Sequence, residues 1–198
     1  EEGFGLTPLL GIWRFAPPEE AKLFSSPSDF LPFPNQLCSK TDEDRVHNVD
    51  FSKWVSGDED QRKNVCVTEK LHGTSATFVF DQNGQITHVC SRNNERKNDG
   101  TVWWVLADRM QKYLEAHPDR LAVLQRDWCR LGEEDASLVV QGEICGPKIN
   151  GNHYGLREPE LFLFTATNRE RTRKPMEALR VIAALLGVQV VPVAESNA

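Results

Sequence analysis

No stretch of the sequence approaches about 18 uninterrupted apolar residues, so nothing in it predicts a transmembrane helix. The N-terminus lacks the basic-then-apolar pattern of a secretory signal. It also lacks an initiator methionine, beginning at Glu1, which reads as a processed or trimmed fragment. Cysteine is scarce: Cys38, Cys66, Cys90, Cys129 and Cys145 are odd in number, widely spaced and form no C-x-x-C pair. That pattern argues against a disulfide framework and against a zinc knuckle, and the simplest expectation is reduced thiols in the cytoplasm. A basic surplus is missing too. Lys and Arg number 23 against 29 Asp and Glu, giving a formal charge of −6. Bulk charge therefore cannot drive nucleic-acid binding, and any such binding needs a local basic track. Internal repeats and low-complexity tracts are absent as well. What is there, in 198 residues with 39% hydrophobic and 26% charged, is the composition of one globular domain with its own core.

Residues 1–36 carry Pro8, Pro17, Pro18, Pro27, Pro32 and Pro34, a density that prevents long regular elements and predicts an irregular arm. Residues 39–62 are charge-rich and predict exposed helical fragments. From Val65 the pattern sharpens. Val65–Lys70 is β-prone, and Thr74–Asp81 alternates, with Ala76, Phe78 and Phe80 on one face and Thr77 and Val79 on the other. Asn83-Gly84 then predicts a type I′ hairpin turn, with Gln85–Arg92 returning as a second strand. Asp99 or Thr101 caps a helix to about His117, with Trp103, Leu106, Met110, Tyr113 and Leu114 along one stripe. Past Pro118 a second helix keeps Leu121, Leu124, Trp128 and Leu131 in register up to Gly132. Ser137–Glu143 reads as a strand closed by Gly142 and Gly146, and Leu161–Ala166 as a buried strand. A helix over Pro175–Leu186, ended by Gly187, precedes a last β run, Val188–Val193. Strands in hairpins with helices inserted between them argue for an α+β fold.

The most informative segment is Thr68-Glu69-Lys70-Leu71-His72-Gly73-Thr74-Ser75. A lysine here ends an apolar strand and precedes a tight-turn glycine, a short stiff support from which it can point into a cleft. As a nucleophile its amine must lose a proton from a reference pKa near ~10.4, which takes desolvation or neighbouring cations. A surface lysine in a strand–turn has the same local sequence, and the tetrapeptide alone does not separate the two.

The remaining motifs do. The sequence resembles the covalent nucleotidyltransferases, which comprise RNA ligases, DNA ligases and mRNA capping enzymes. Lys70-Leu71-His72-Gly73 is similar to the K-x-H-G form of their first motif, found in the RNA-ligase-2-like branch. Further motifs follow in the family's order. Ser91-Arg92-Asn93 comes at the end of the return strand, and Gln141-Gly142-Glu143-Ile144-Cys145-Gly146-Pro147 looks like the third motif. Phe162-Leu163-Phe164-Thr165-Ala166 resembles the aromatic strand. Lys40–Arg45 and the run Gly146–Asn152 resemble the Deinococcus-type RNA ligases, so the resemblance covers roughly residues 38–193.

The resemblance implies an α+β nucleotidyltransferase (ATP-grasp-like) fold, with antiparallel sheets flanked by helices and a nucleotide cleft between them. It divides the chain into the arm, 1–36, and an adenylyltransferase domain, 37–198. It also implies an ATP-dependent RNA ligase in which Lys70 forms a lysyl-AMP, AMP passes to an RNA 5′-phosphate, and a 3′-OH displaces it. ATP and Mg²⁺ or Mn²⁺ are the implied cofactors, with no metal ligand assigned to the chain. RNA ends are the implied partner of a monomer.

By the same resemblance Arg92 meets phosphate, Glu143 the ribose and Phe164 the adenine, Glu69 stands at the pocket rim, and His72, as a structural or phosphate contact, and Gly73 complete the nucleotide-binding set. Lys148, Arg173 and Lys174 are candidates for RNA or phosphate contact, although Lys148 is equally a loop charge and the cluster Arg169–Lys174 equally a solvated helix entrance. His72 is equally a hydrogen-bonded turn residue, and Phe162 and Phe164 equally core aromatics. Two later family motifs, a glutamate strand and a lysine pair, are missing after Val193, and Glu195 lacks the surrounding pattern. That predicts a chain truncated ahead of those motifs and weakened in lysyl-AMP formation. It keeps open a catalytically incomplete nucleotide- or RNA-binding pseudoenzyme, and a DNA ligase or capping-type enzyme.

Overall fold

The computed structural model describes residues 30–40, 66–129 and 137–196, with Glu195 and Ser196 described by backbone only. The strands are β1 (Phe30–Pro32), β2 (Cys66–Thr68), β3 (Thr74–Phe80), β4 (Ile86–Cys90), β5 (Asn94–Arg96), β6 (Leu138–Cys145), β7 (Glu160–Asn168), β8 (Gln189–Val190) and β9 (Val193–Ser196). The helices are α1 (Val102–Ala116), α2 (Pro118–Leu124) and α3 (Met176–Leu186). Seven strands form one sheet in the order β1-β5-β4-β3-β6-β7-β8, and β2 and β9 form a separate two-stranded ribbon. All pairings are antiparallel except β7 with β8. That parallel pair is the one departure from the antiparallel sheets expected, and α3 supplies the crossover that a parallel connection requires.

The alternation in β3 sorts its residues as expected. Ala76, Phe78 and Phe80 join the main core with Val140 and Ile144 of β6, Leu161 and Leu163 of β7, Leu106, Met110 and Leu114 of α1, and Leu179, Ile182 and Leu186 of α3. Helices therefore cover one face of the sheet. On the other face Val79, Cys90 and Val139 pack against Phe33 and Cys38, so the end of the proline-rich segment folds onto the sheet. Pro32 is tolerated in β1 because, among the described residues, that strand lies at the edge of the sheet. The rest of the arm, and the charge-rich run beyond Lys40, lie outside the described residues.

Several sequence expectations need correction. In the β3–β4 turn only Gly84 takes positive φ (+72°), whereas a type I′ turn needs it at both central residues. Asp81 instead organises the turn, its Oδ1 accepting from the N–H groups of Asn83 at 2.8 Å and Gln85 at 2.9 Å. The second helix does not run on to Leu131: α2 ends at Leu124 and widens into a π turn, Gln125–Cys129, while Leu131 and Gly132 lie outside the described residues. Gly142 does not close its strand but lies within β6. The last β run is split at Pro192 into β8 and β9. All five cysteines are free thiols, and among the described residues no helix is long and apolar enough to cross a membrane.

Candidate active site

A cavity of about 790 Å³ opens on the side of the sheet away from the helices. It is lined by the continuous run Thr68–Ser75 together with Arg92, Glu143, Asn150, Phe164, Arg173 and Val191. Its size falls within the roughly 300–1,000 Å³ common for small-molecule sites. The run Thr68–Ser75 links the small ribbon to the large sheet, so the cavity lies where the two sheets meet. Lys70 stands two residues beyond the end of β2, in that link and not in the strand, and is exposed at the cavity. The N–H of the preceding Glu69 donates to Pro192 O at 2.8 Å, which ties the link to the β8–β9 connection.

Glu143 reaches the cavity because β6 pairs with β3 in the register Ser75↔Glu143, placing it on the sheet face opposite Ile144 and Val140. The Gly73 N–H donates to Glu143 Oε1 at 2.9 Å. Burial pushes the Glu143 carboxyl above its ordinary pKa. The Gly73 hydrogen bond and the charges of Lys70, His72 and Arg92 pull the other way without cancelling it. Gly73 is fitted to this contact sterically: a Cβ there would lie 2.2 Å from Ile144 O, 2.8 Å from Cys145 Sγ and 2.9 Å from Glu143 Cγ.

Phe164 owes its position to a bulge. Gln141 pairs with Thr165 and Gly142 with Leu163, which leaves Phe164 as the extra, unpaired residue of β7. Its half-buried ring lines the cavity, whereas Leu161 and Leu163 are buried in the core. The expectation of a uniformly buried strand thus fails at Phe162 and Phe164, both half-buried against the small cluster of Leu71, Cys145 and Val191. Arg92 sits just beyond β4, in the turn closed by the Ser91 N–H to Asn94 O bond at 2.9 Å. Arg173 arrives from a hairpin after β7, where it bridges Thr167.

Of the residues singled out from sequence, Glu69, Lys70, His72, Gly73, Arg92, Glu143, Phe164 and Arg173 meet at this cavity. Lys148 and Lys174 are not among its lining residues. Lys148 is exposed on a turn at φ +64°, and the alternation that directs Arg173 to the cavity sends Lys174 toward the helices, its Nζ 6.0 Å from the centre of the Trp128 ring. Sequence reasoning did not single out Thr68, Leu71, Thr74, Val191, Ser75 or Asn150 as lining residues. The glycine- and asparagine-rich run Gly146–Asn152 was the available signal for Asn150.

A large, mainly antiparallel sheet with helices on one face, and a cavity on the other where a lysine-bearing link joins a second small sheet, is the nucleotidyltransferase fold. The sequence profile of the RNA ligase family matches residues 63–198, and the chain belongs to that family. Among solved structures, a lysine-to-alanine variant of the Naegleria gruberi RNA ligase with ATP and Mn superposes with a TM-score of 0.65 at 26% identity, over 100% of this chain and 54% of that one. The same ligase with PPi gives 0.63 at 28% identity over 97% and 52%. A lysine-to-methionine variant with AMP and Mn gives 0.63 at 27% identity over 100% and 54%. The chain thus spans about half the length of the solved ligases it matches. No curated protein sequence matches it.

Proposed function

We propose that this chain is the adenylyltransferase part of an ATP-dependent RNA ligase. The observation that carries the reading is convergence: a lysine, two arginines, a half-buried glutamate and an aromatic face come from separate segments to one cavity of nucleotide size. Phe164 offers a flat apolar face for the adenine. Glu143 accepts from ribose hydroxyls, and Arg92 and Arg173 supply forked donors for phosphate oxygens. His72 and Gly73 form the rim beside Lys70, and Glu69 stands next to it.

In the first step the unprotonated Lys70 amine attacks the α-phosphorus of ATP. The new N–P bond replaces the bond to pyrophosphate, which leaves. AMP then passes to an RNA 5′-phosphate, and an RNA 3′-OH displaces it to seal the strand. Positioning and charge neutralisation dominate such transfers, so the cationic rim and the backbone that holds Lys70 are the chain's main contributions.

Among the described residues, Glu69 and Glu143 are the carboxylates that line the cavity, and no group of three or more His, Cys, Asp or Glu is placed to hold a metal. That sparse donor set fits Mg²⁺ or Mn²⁺, which bind largely through substrate phosphates and water with one or two carboxylates. When bound, the ion neutralises charge on the transferring phosphoryl group. We assign the adenylyltransferase unit to residues 37–198, behind the arm 1–36, and infer a monomer acting on RNA in the cytoplasm, where free thiols persist.

Intact-mass measurement after incubation with ATP and Mg²⁺ tests the reading. One added adenylyl group, lost in Lys70→Ala, is the expected result. A chain that binds ATP yet gains no adenylyl group, with Lys70→Ala binding equally well, would instead define a nucleotide-binding module without transferase chemistry.

A further inference from the structure

The loop from Gly146 to Glu158, between β6 and β7, lies along the Leu71–Gly73 turn and meets it residue by residue in reverse order. At one end, the Asn150 Nδ2 donates to Gly73 O. In the middle, the His72 N–H donates to Tyr154 Oη at 2.8 Å, and the His153 and His72 ring centres are 5.4 Å apart. At the other end, Leu156 packs on the small cluster that contains Leu71. Every residue between the proposed nucleophile and β3 therefore has a partner in this loop.

The loop is itself stiffened. Asn152 exchanges two hydrogen bonds with Leu156, Nδ2 to O at 2.9 Å and N to Oδ1 at 3.1 Å. Its far end is tied to α1 by Arg109, which pairs with Glu158 at 3.2 Å and donates to Pro159 O. Lys148, Asn150 and Asn152 all hold left-handed backbone (φ +64°, +41° and +49°), a conformation that costs free energy at non-glycine residues unless surrounding contacts hold it. Here it lets the chain fold back so that successive side chains face one turn.

We infer that Asn150 and Tyr154 are positioning residues for the adenylylation step. They hold the His72–Gly73 peptides in place, and with Glu69 anchored on Pro192 they leave Lys70 a mobile side chain on a backbone fixed from both sides. This rests on the ligase reading of the cavity. The device acts on how often the amine meets the α-phosphorus in line, not on how tightly the nucleotide binds, because small displacements of a reacting group are costly in rate.

Tyr154→Phe removes the acceptor for the His72 N–H while keeping the ring. Asn150→Gly removes the donor to Gly73 O, adds no charge to the cavity that Asn150 lines, and accepts the left-handed backbone. Two readouts separate this inference from the one it rests on. Hydrogen exchange at His72 should speed up in Tyr154→Phe with the rest of β3 unchanged, a result that needs no enzymatic activity. Single-turnover adenylylation at saturating ATP should then slow roughly fivefold to tenfold in each variant, the effect of losing about one hydrogen bond, with the ATP dissociation constant unchanged. Unchanged exchange at His72 in Tyr154→Phe would overturn the inference. So would a weakened ATP affinity at unchanged maximal rate. Faster exchange at His72 in Tyr154→Phe, together with a wild-type protein that never adenylylates, would retain the clamp and sink the ligase reading.

Discussion

Gly73→Ala is the most decisive single perturbation of the site. The added Cβ would sit 2.2 Å from Ile144 O, a backbone atom of the end pair of the β3–β6 ladder, Thr74↔Ile144, whereas real contacts essentially never fall below 3.0 Å. Cys145 Sγ at 2.8 Å and Glu143 Cγ at 2.9 Å close the other directions. The φ of Gly73 is not in the left-handed region, so the effect is purely one of space. The ladder is held by seven consecutive residue pairs and by core packing on its far face, so the turn is what moves. A shift approaching an ångström breaks the Gly73 N–H to Glu143 bond and carries Lys70 with it. Overpacking of this kind costs about 1–3 kcal/mol, which for a chain of this size lowers Tm by roughly 2–12 °C. Misplacement of about 1 Å costs on the order of 10²-fold in rate. Thermal unfolding and a time course of adenylylation by intact mass, run on the same preparation, measure both. An alanine variant with native Tm and native rate would refute the account of how the lysine is held.

Phe164→Ala should raise the ATP dissociation constant roughly tenfold or more, as expected for the loss of one base-stacking face, and titration calorimetry checks it. Glu143→Gln tests the raised carboxyl. A group whose folded pKa lies above its unfolded value of about 4.3 stabilises the fold fully below that value, and the contribution is lost as pH rises through the folded pKa. The difference in Tm between Glu143→Gln and the parent should therefore increase from pH 3.5 to pH 7, and a constant difference would show that burial does not govern this carboxyl. Arg96→Ala should cost about 3–5 kcal/mol in urea unfolding, because it leaves Asp99 buried without its 2.6 Å partner; the two side chains are 5% and 9% exposed. The same change empties the space beside the Trp103 and Phe30 rings, 4.3 and 5.0 Å from the guanidinium. Alkylation of the native protein at neutral pH should label Cys66 before the other four cysteines. Those four are buried, and burial pushes the Cys38 and Cys145 thiols up to about 11.

The parts of the site that local chemistry dictates were readable from the chain. Lys70 and Gly73 lie three residues apart, Arg92 follows a strand signalled by Asn83-Gly84, and Glu143 and Phe164 sit in short apolar runs that read as strands. The parts that depend on tertiary contacts were not. Tyr154 carries no motif, and its role emerges only when the loop after Gly146 folds back on His72, a contact 82 residues away in sequence. The separation of Arg173 from Lys174 follows from one bridge to Thr167, which no charge count can foresee. Reading Phe30–Phe33 as part of an arm was natural from proline density, yet proline excludes long strands and central strands, and a three-residue edge strand is neither. The type I′ expectation failed because the Asp81 carboxylate stabilises a competing turn that needs positive φ at Gly84 alone.

The extra residue in β7 has a consequence for how the pocket can change. With Phe164 left out, Leu163 and Thr165 would become neighbours facing Gly142 and Gln141, and the ladder would be regular, each flank keeping its present partner. The aromatic wall is therefore an insertion that the sheet carries without depending on it. Ligand preference can be altered at that one place while the strands, the helices behind them and the glutamate opposite Phe162 keep their register.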